Sequence, residues 1–176
     1  MTPSSLRIEP LPGYTPTIGR LVGMLTYARS TTLRAVDGLS VADLDHLHDA
    51  ESNSIGALLA HMAAVERVYQ VLTFEDRELS PEEEARWAAA LSLGDAGRAQ
   101  LRGKPLTHYL DESAAARRDT LEALAKRDDD WLERAVVPAP KINAHWAWFH
   151  VAEDEVSHRG QIRWLRARLP RATREA

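Results

Sequence analysis

The chain has 176 residues, 44% hydrophobic and 27% charged, with a formal net charge of −4. That length fits a single domain, residues 1–176, with a core of its own, and the interleaved, near-balanced charges argue against a nucleic-acid partner. There are no cysteines, which excludes disulfides, thiolate metal ligands and a cysteine nucleophile, so any thiol chemistry must take its sulfur from a separate small molecule.

Alanine and leucine outnumber the β-branched residues, a balance that favours helix over sheet. The segment Met1 to Arg7 lacks the apolar core of a signal peptide, and no apolar run approaches the ~20 residues of a membrane span. A cytoplasmic protein with no membrane association is the expectation.

Helical periodicity first appears over about Thr15 to Val36, where Ile18, Leu21, Val22, Leu25, Ala28, Thr32 and Leu33 mark one face. Ser40 can cap a short turn through His46. Asn53 and Ser54 are candidate N-caps for a second long helix to about Leu72, with Ile55, Leu58, Leu59, Met62, Val65 and Tyr69 on its apolar face. Ser80-Pro-Glu-Glu83 is a capping box that predicts a helix through about Ala90. Gly94, Gly97 and Gly103-Lys-Pro105 predict a loop-rich stretch. A third long helix spans roughly Thr107 to Ala125, marked by Leu110, Ala114, Leu121 and Leu124. Asp128 to Glu133 suits a turn, Pro138-Ala-Pro140 breaks the chain, and a fourth long helix runs from Asn143 to before Pro170 with Trp146, Phe149, Ile162 and Leu165 among its apolar positions. No strand alternation is evident. Four long helices with one extended crossover predict an all-α, four-helix bundle.

The last helix carries the chemistry. His150, Asp154 and His158 recur every four residues and so share one stripe. Imidazole and carboxylate are divalent-metal ligands, and an i, i+4 pair can reach one ion. Upstream, His61 interrupts the apolar face between Leu58 and Met62. A lone histidine there is most simply a hydrogen-bonded core residue, and Asp154 alone is most simply a helix acid paired with His150 or His158. His61 together with Asp154 and His158 makes a three-ligand site. His150 can serve as a fourth ligand, as an outer partner of a ligand or as a group near substrate. Glu153 and Glu155 point about 100° to either side, and Gln161 can hydrogen-bond within the site. His46, His48, His108 and His145 read as surface or capping residues. Trp87, Trp131, Trp146, Trp148 and Trp164 read as core or dimer contacts, with one of them available to line a pocket mouth. The basic residues from Arg159 to Arg174 complement the dipole at the end of the last helix.

The segment Ser54-Ile-Gly-Ala-Leu-Leu-Ala-His61-Met-Ala-Ala-Val-Glu66 resembles the second-helix motif of the DinB/YfiT-like superfamily. His158-Arg-Gly-Gln161-Ile resembles its last-helix motif, H-x-x-x-H-R-G-Q. The resemblance runs from about Thr15 to Leu169 and implies a bundle of up-down-down-up topology, a homodimer and a divalent metal held by His61, Asp154 and His158. Asp154 stands where the commonest motif has histidine; related thiol-dependent isomerases have glutamate there. Relatives include S-transferases and isomerases that use a low-molecular-weight thiol such as bacillithiol or mycothiol, and the founding name refers to induction by DNA damage, a stress response.

Three readings follow. The first is a metal-dependent thiol S-transferase acting on a small-molecule substrate. The second is a metal-dependent hydrolase with Glu155 or His150 as base. The third is a non-enzymatic bundle with a structural or vestigial site. Zinc is the default ion for a His₂-carboxylate set, with nickel, manganese and iron as alternatives.

Overall fold

The computed structural model describes residues 7–137 and 139–170. Met1 to Leu6, Pro138 and residues 171–176 lie outside it, and with them most of the N-terminal segment, part of the proline break and the end of the basic cluster. The described elements are α1 (Pro16–Val36), α2 (Val41–Asp45), α3 (Ile55–Phe74), α4 (Pro81–Ser92), α5 (Gly94–Gln100), α6 (Leu106–Leu124), a 3₁₀ turn (Asp129–Glu133), β1 (Ala135–Val136), β2 (Ala139–Asn143) and α7 (Ala144–Arg166). No helix among the described residues is long and apolar enough to cross a membrane.

Capping chemistry sets several boundaries. Ser54 accepts from Ala57 N–H at the start of α3, Asn143 accepts from Trp146 N–H at the start of α7, and Ser80 and Glu83 form a reciprocal box on α4. The first turn of α1 is capped from a distance, since the Asp129 carboxylate accepts from Thr17 N–H and Ile18 N–H.

The bundle is all-α with up-down-down-up topology. Contacts along α3 and α6 rise together (Gly56 against Tyr109, Gln70 against Thr120), so these helices are parallel. So are α1 and α7, where Arg29 meets Glu155 and Ala35 O meets Arg166. Across the bundle, Thr73 accepts from the Trp148 indole while His61 faces His158, so α3 and α7 run antiparallel. The long α3-to-α6 crossover returns the chain to the starting end through α4 and α5.

Two expectations about the connections need correction. The glycine-bearing stretch after α4 is a helix, α5, entered through left-handed Leu93 (φ 53°) and Gly94 (φ 52°), so the glycines turn the corner rather than keep the segment open. The chain before α7 is a small antiparallel pair, with Ala135 opposite Asn143 and Val136 opposite Ala139. It is too short for alternation to register.

The core has two apolar clusters. One gathers Ile18, Leu21, Leu25, Leu124, Trp131 and Trp148; the other gathers Val36, Leu44, Ile55, Leu58, Tyr109 and Ile162. Between them, each long helix contributes one charge: Arg29 from α1, Glu66 from α3, Arg117 from α6 and Glu155 from α7. Arg29 binds Glu155 at 2.8 Å and Glu66 at 3.1 Å; Arg117 binds Glu66 at 2.7 Å and Glu155 at 3.1 Å. The arginines also donate to Ser113 O and Leu25 O, and Thr120 donates to Glu66. Nothing in this closed, net-neutral ring is left unpaired, which is the condition for burying charge. Burial would raise the Glu66 carboxyl, but Arg117 and Arg29 outweigh it and hold it below the usual range. The ring also explains why α6 turns Ser113, Ala116, Arg117 and Thr120 inward, whereas Ala114, a predicted core marker, is exposed. Leu33, Trp146 and Phe149 are likewise exposed.

Candidate metal centre

His61 lies in the second turn of α3, on the side facing α7, and Asp154 and His158 lie one turn apart on α7. The structure brings these three together. His158 Nε2 is 3.2 Å and His61 Nε2 is 3.5 Å from the same oxygen, Asp154 Oδ1, and the donor atoms of the three residues lie within 4.8 Å of one another. The imidazoles meet edge to face with centroids 4.7 Å apart.

The outer nitrogens decide what the inner ones can do. His61 Nδ1 is 2.8 Å from Ala90 O, a carbonyl that can only accept, so Nδ1 carries the proton. His158 Nδ1 lies 3.3 Å from Gln161 Oε1 and is fixed in the same sense. With Nδ1 of each ring turned to an oxygen acceptor, each Nε2 faces the anionic Asp154 carboxylate. Such a convergence is held together by a cation, either a proton on Nε2 donated to Asp154 or a metal ion shared by all three. Ligand atoms on a tetrahedral zinc at ~2.05 Å stand roughly 3.3 Å apart, close to the two histidine–aspartate distances. An Nδ1–H tether to carbonyl or amide oxygen is the usual support for a metal-ligating histidine. The residues present fit a divalent ion.

Electrostatics agree. Burial opposes the charge on Asp154, but hydrogen bonds from His158 and His61 outweigh it and hold its carboxyl well below the ordinary range. Burial would lower the His158 imidazole, yet its hydrogen bond with Asp154 and that residue's charge raise it. Tyr69, two turns beyond His61, is pushed up to about 12 by burial and by the Asp154 charge, so its phenol stays protonated.

Of the remaining predicted residues, Gln161 is in place as the tether of His158. His150 stands at the rim, edge-on to Tyr69 at 5.8 Å, tilted against Trp146 at 5.0 Å and bonded through Nδ1 to Glu153 at 3.2 Å. Glu155 is corrected: both of its carboxylate oxygens are held by Arg29 and Arg117 in the buried ring, so it cannot serve this site as a base. The 100° offset from Asp154 turns it into the core. The Ala90 carbonyl and the place of Tyr69 within reach of the Asp154 charge lie beyond the sequence reading. No sequence pattern marks a main-chain acceptor from a neighbouring helix, whereas Tyr69, at i+8 from His61, shares its face and was open to that reading.

The family model described as MST: Mycothiol-S-transferase matches residues 20–170, a span that contains α3, α7 and all three donors. No curated protein matches the chain. Among solved structures, a conserved protein from Enterococcus faecalis is similar with a TM-score of 0.63 and 17% identity, over 83% of this chain and 92% of that one. At that identity the likeness concerns the fold.

Proposed function

The chain belongs to the mycothiol S-transferase family, and from that premise we propose that it is a metal-dependent S-transferase that joins a low-molecular-weight thiol to an electrophilic small molecule. The observation that carries the reading is the convergence of the two Nε2 atoms on Asp154 Oδ1. His61, Asp154 and His158 would hold the ion, zinc by default, with nickel, manganese and iron as alternatives. An ion with three protein ligands keeps a coordination position at which a thiol ionises near neutral pH.

The chain's own residues do the rest. Ala90 O and Gln161 keep both imidazoles in the ligating tautomer. Asp154 contributes one negative charge where a third histidine would contribute none, which tempers the electrophilicity of the centre. Tyr69 closes one wall with a protonated phenol. His150, half-buried at the rim, is the base available for the thiol proton. In the transfer itself a sulfur–carbon bond forms, the bond to the leaving group breaks, and the leaving group and thiol proton depart together. With no cysteine in the chain, the sulfur is external. The hydrolytic alternative keeps only His150, because Glu155 is committed to the ring. We read the protein as a cytoplasmic homodimer with a role in stress response; the exposed Trp146, Phe149 and Val156 on the outer face of α7 suit a protein contact.

The test is metal content after tag-free purification and zinc reconstitution. Near-stoichiometric zinc is expected in the wild type, with loss of more than nine-tenths of it in His158→Ala and turnover only when thiol is added. A wild type that takes up no metal, or a His158→Ala variant that retains it, removes the basis of the reading.

A further inference from the structure

The two helices that carry the triad also carry the two anions of the buried ring. Glu66 lies five residues after His61 on α3, roughly 7.5 Å further along that helix, and Glu155 directly follows Asp154 on α7. Both cations come from the helices that supply no ligand, Arg29 from α1 and Arg117 from α6. Two carboxylates repel, so α3 and α7 meet in the ring only through a guanidinium. Arg29 donates from Nε to Glu155 and from Nη2 to Glu66, while Arg117 donates from Nε to Glu66 and from Nη2 to both. Each arginine turns its remaining Nη1 to the main chain of the helix opposite, Arg29 to Ser113 O of α6 and Arg117 to Leu25 O of α1.

A metal centre built from two helices needs its donors held to within about 0.5 Å of the working geometry. Apolar contact is non-directional, whereas a planar guanidinium shared by two carboxylates fixes both distance and angle. Outside the triad and the ring, the one polar link between α3 and α7 among the described residues is the Trp148 indole on Thr73, 3.1 Å long and near the C-terminal end of α3, away from His61. Asp154 and Glu155 are chain neighbours, so a rotation of α7 that carries Asp154 away from His61 also draws Glu155 out of the ring. We propose that Arg29 and Arg117 are positioning residues of the metal centre: through Glu66 and Glu155 they set the spacing and rotation of α3 against α7 at which His61, Asp154 and His158 share one ion. The proposal rests on the metal reading of the triad and gives the ring a role beyond folding stability.

The full chain is tested with cobalt(II), whose visible spectrum reports coordination geometry, and with zinc in competition against a chromophoric chelator. In the first variant Arg29, Glu66, Arg117 and Glu155 are all changed to Met. The ring is net neutral, so this replacement leaves the charge around the triad unaltered, and a change in metal binding reports geometry. In the second, Arg29→Lys keeps the charge, but one ammonium cannot reproduce the planar fork that holds both carboxylates and Ser113 O. Arg29→Lys carries the test by itself if the first variant lacks wild-type helical content. Leu21→Ala, in the apolar cluster with Ile18 and Trp148, is the control for destabilisation alone. Both ring variants should show a shifted cobalt spectrum and a zinc affinity lower by about tenfold or more, while Leu21→Ala keeps the wild-type spectrum and affinity. Ring variants that match the wild type in both readouts overturn the proposal. So does Leu21→Ala falling with them, since the effect is then one of stability at large. A wild type that takes up neither ion removes the metal reading itself and the proposal with it, a result separate from any difference among the variants.

Discussion

Replacing Glu66 with alanine is expected to cost about 3–5 kcal/mol of folding stability, the usual penalty for removing one partner from a buried charge pair. Glu66 is fully buried and accepts from Arg29, Arg117 and Thr120. Its loss leaves two guanidinium groups facing one carboxylate, Glu155, between two apolar clusters that water cannot readily reach. For a chain of this length the melting temperature should fall by roughly 10 °C. Urea denaturation and thermal melts of Glu66→Ala beside wild type make the measurement, and a melt within a degree of wild type would refute a role for the ring in stability. A second comparison separates the cost of an orphaned charge from the worth of the ring. Converting Arg29, Glu66, Arg117 and Glu155 together to apolar residues of similar volume should recover most of the loss, because the desolvation of all four ions is then avoided. Acid acts on the same group. A carboxylate whose folded pKa is depressed contributes stability that is fully present above its unfolded value and is lost as pH falls through the folded one, so Glu66→Ala and wild type should converge under acid conditions.

The ring also marks the limit of what the sequence discloses. The apolar stripes of α1 and α3 follow helical period and are legible, as are Ile162 and Leu165 on α7 and Ser54, Ser80 and Asn143 as caps, whereas Trp146 and Phe149 on α7 face outward. The inner face of α6 is not legible, because Ser113, Arg117 and Thr120 look like surface residues unless their partners on other helices are known. Glu155 is illegible for the same reason: one residue from Asp154 in sequence, it turns into the core, where Arg29 and Arg117 hold it. A signal was present in Arg29 and Glu66, each occupying an i+4 position on an otherwise apolar stripe, after Leu25 and Met62. The triad was more accessible, since the i, i+4 spacing of Asp154 and His158 fixes their shared face and a polar His61 between Leu58 and Met62 has few bland explanations. Its supports were half visible: Gln161 lies on the same helix, three residues on, whereas the Ala90 carbonyl comes from α4 and depends on a crossover whose path no local pattern specifies.

Asp154→Asn should lower metal affinity by about two orders of magnitude or more, because it exchanges an anionic ligand for a neutral amide at a site where even supporting residues are worth ten- to a hundredfold. Its pH behaviour is the more informative part. In the metal-free protein the raised pKa of His158 means that the His158–Asp154 pair contributes stability fully below the unfolded histidine value and loses it as pH rises through the folded value. A metal ion needs the same Nε2 lone pair, so proton and metal compete. Below the His158 pKa each unit of pH costs about a factor of ten in metal affinity, and above it the affinity levels off. The zinc-induced rise in melting temperature should therefore grow as pH rises through the folded His158 value, which lies above the ordinary histidine one, and level off beyond it in the wild type. In Asp154→Asn the carboxylate that raised His158 is gone while its burial remains, so the plateau should begin at lower pH and at a smaller shift. Melts with and without zinc across that range, in both proteins, give the comparison. Equal pH dependence in the two would mean that Asp154 does not set the protonation of His158, and the electrostatic account of the centre would have to be abandoned even if the metal still binds.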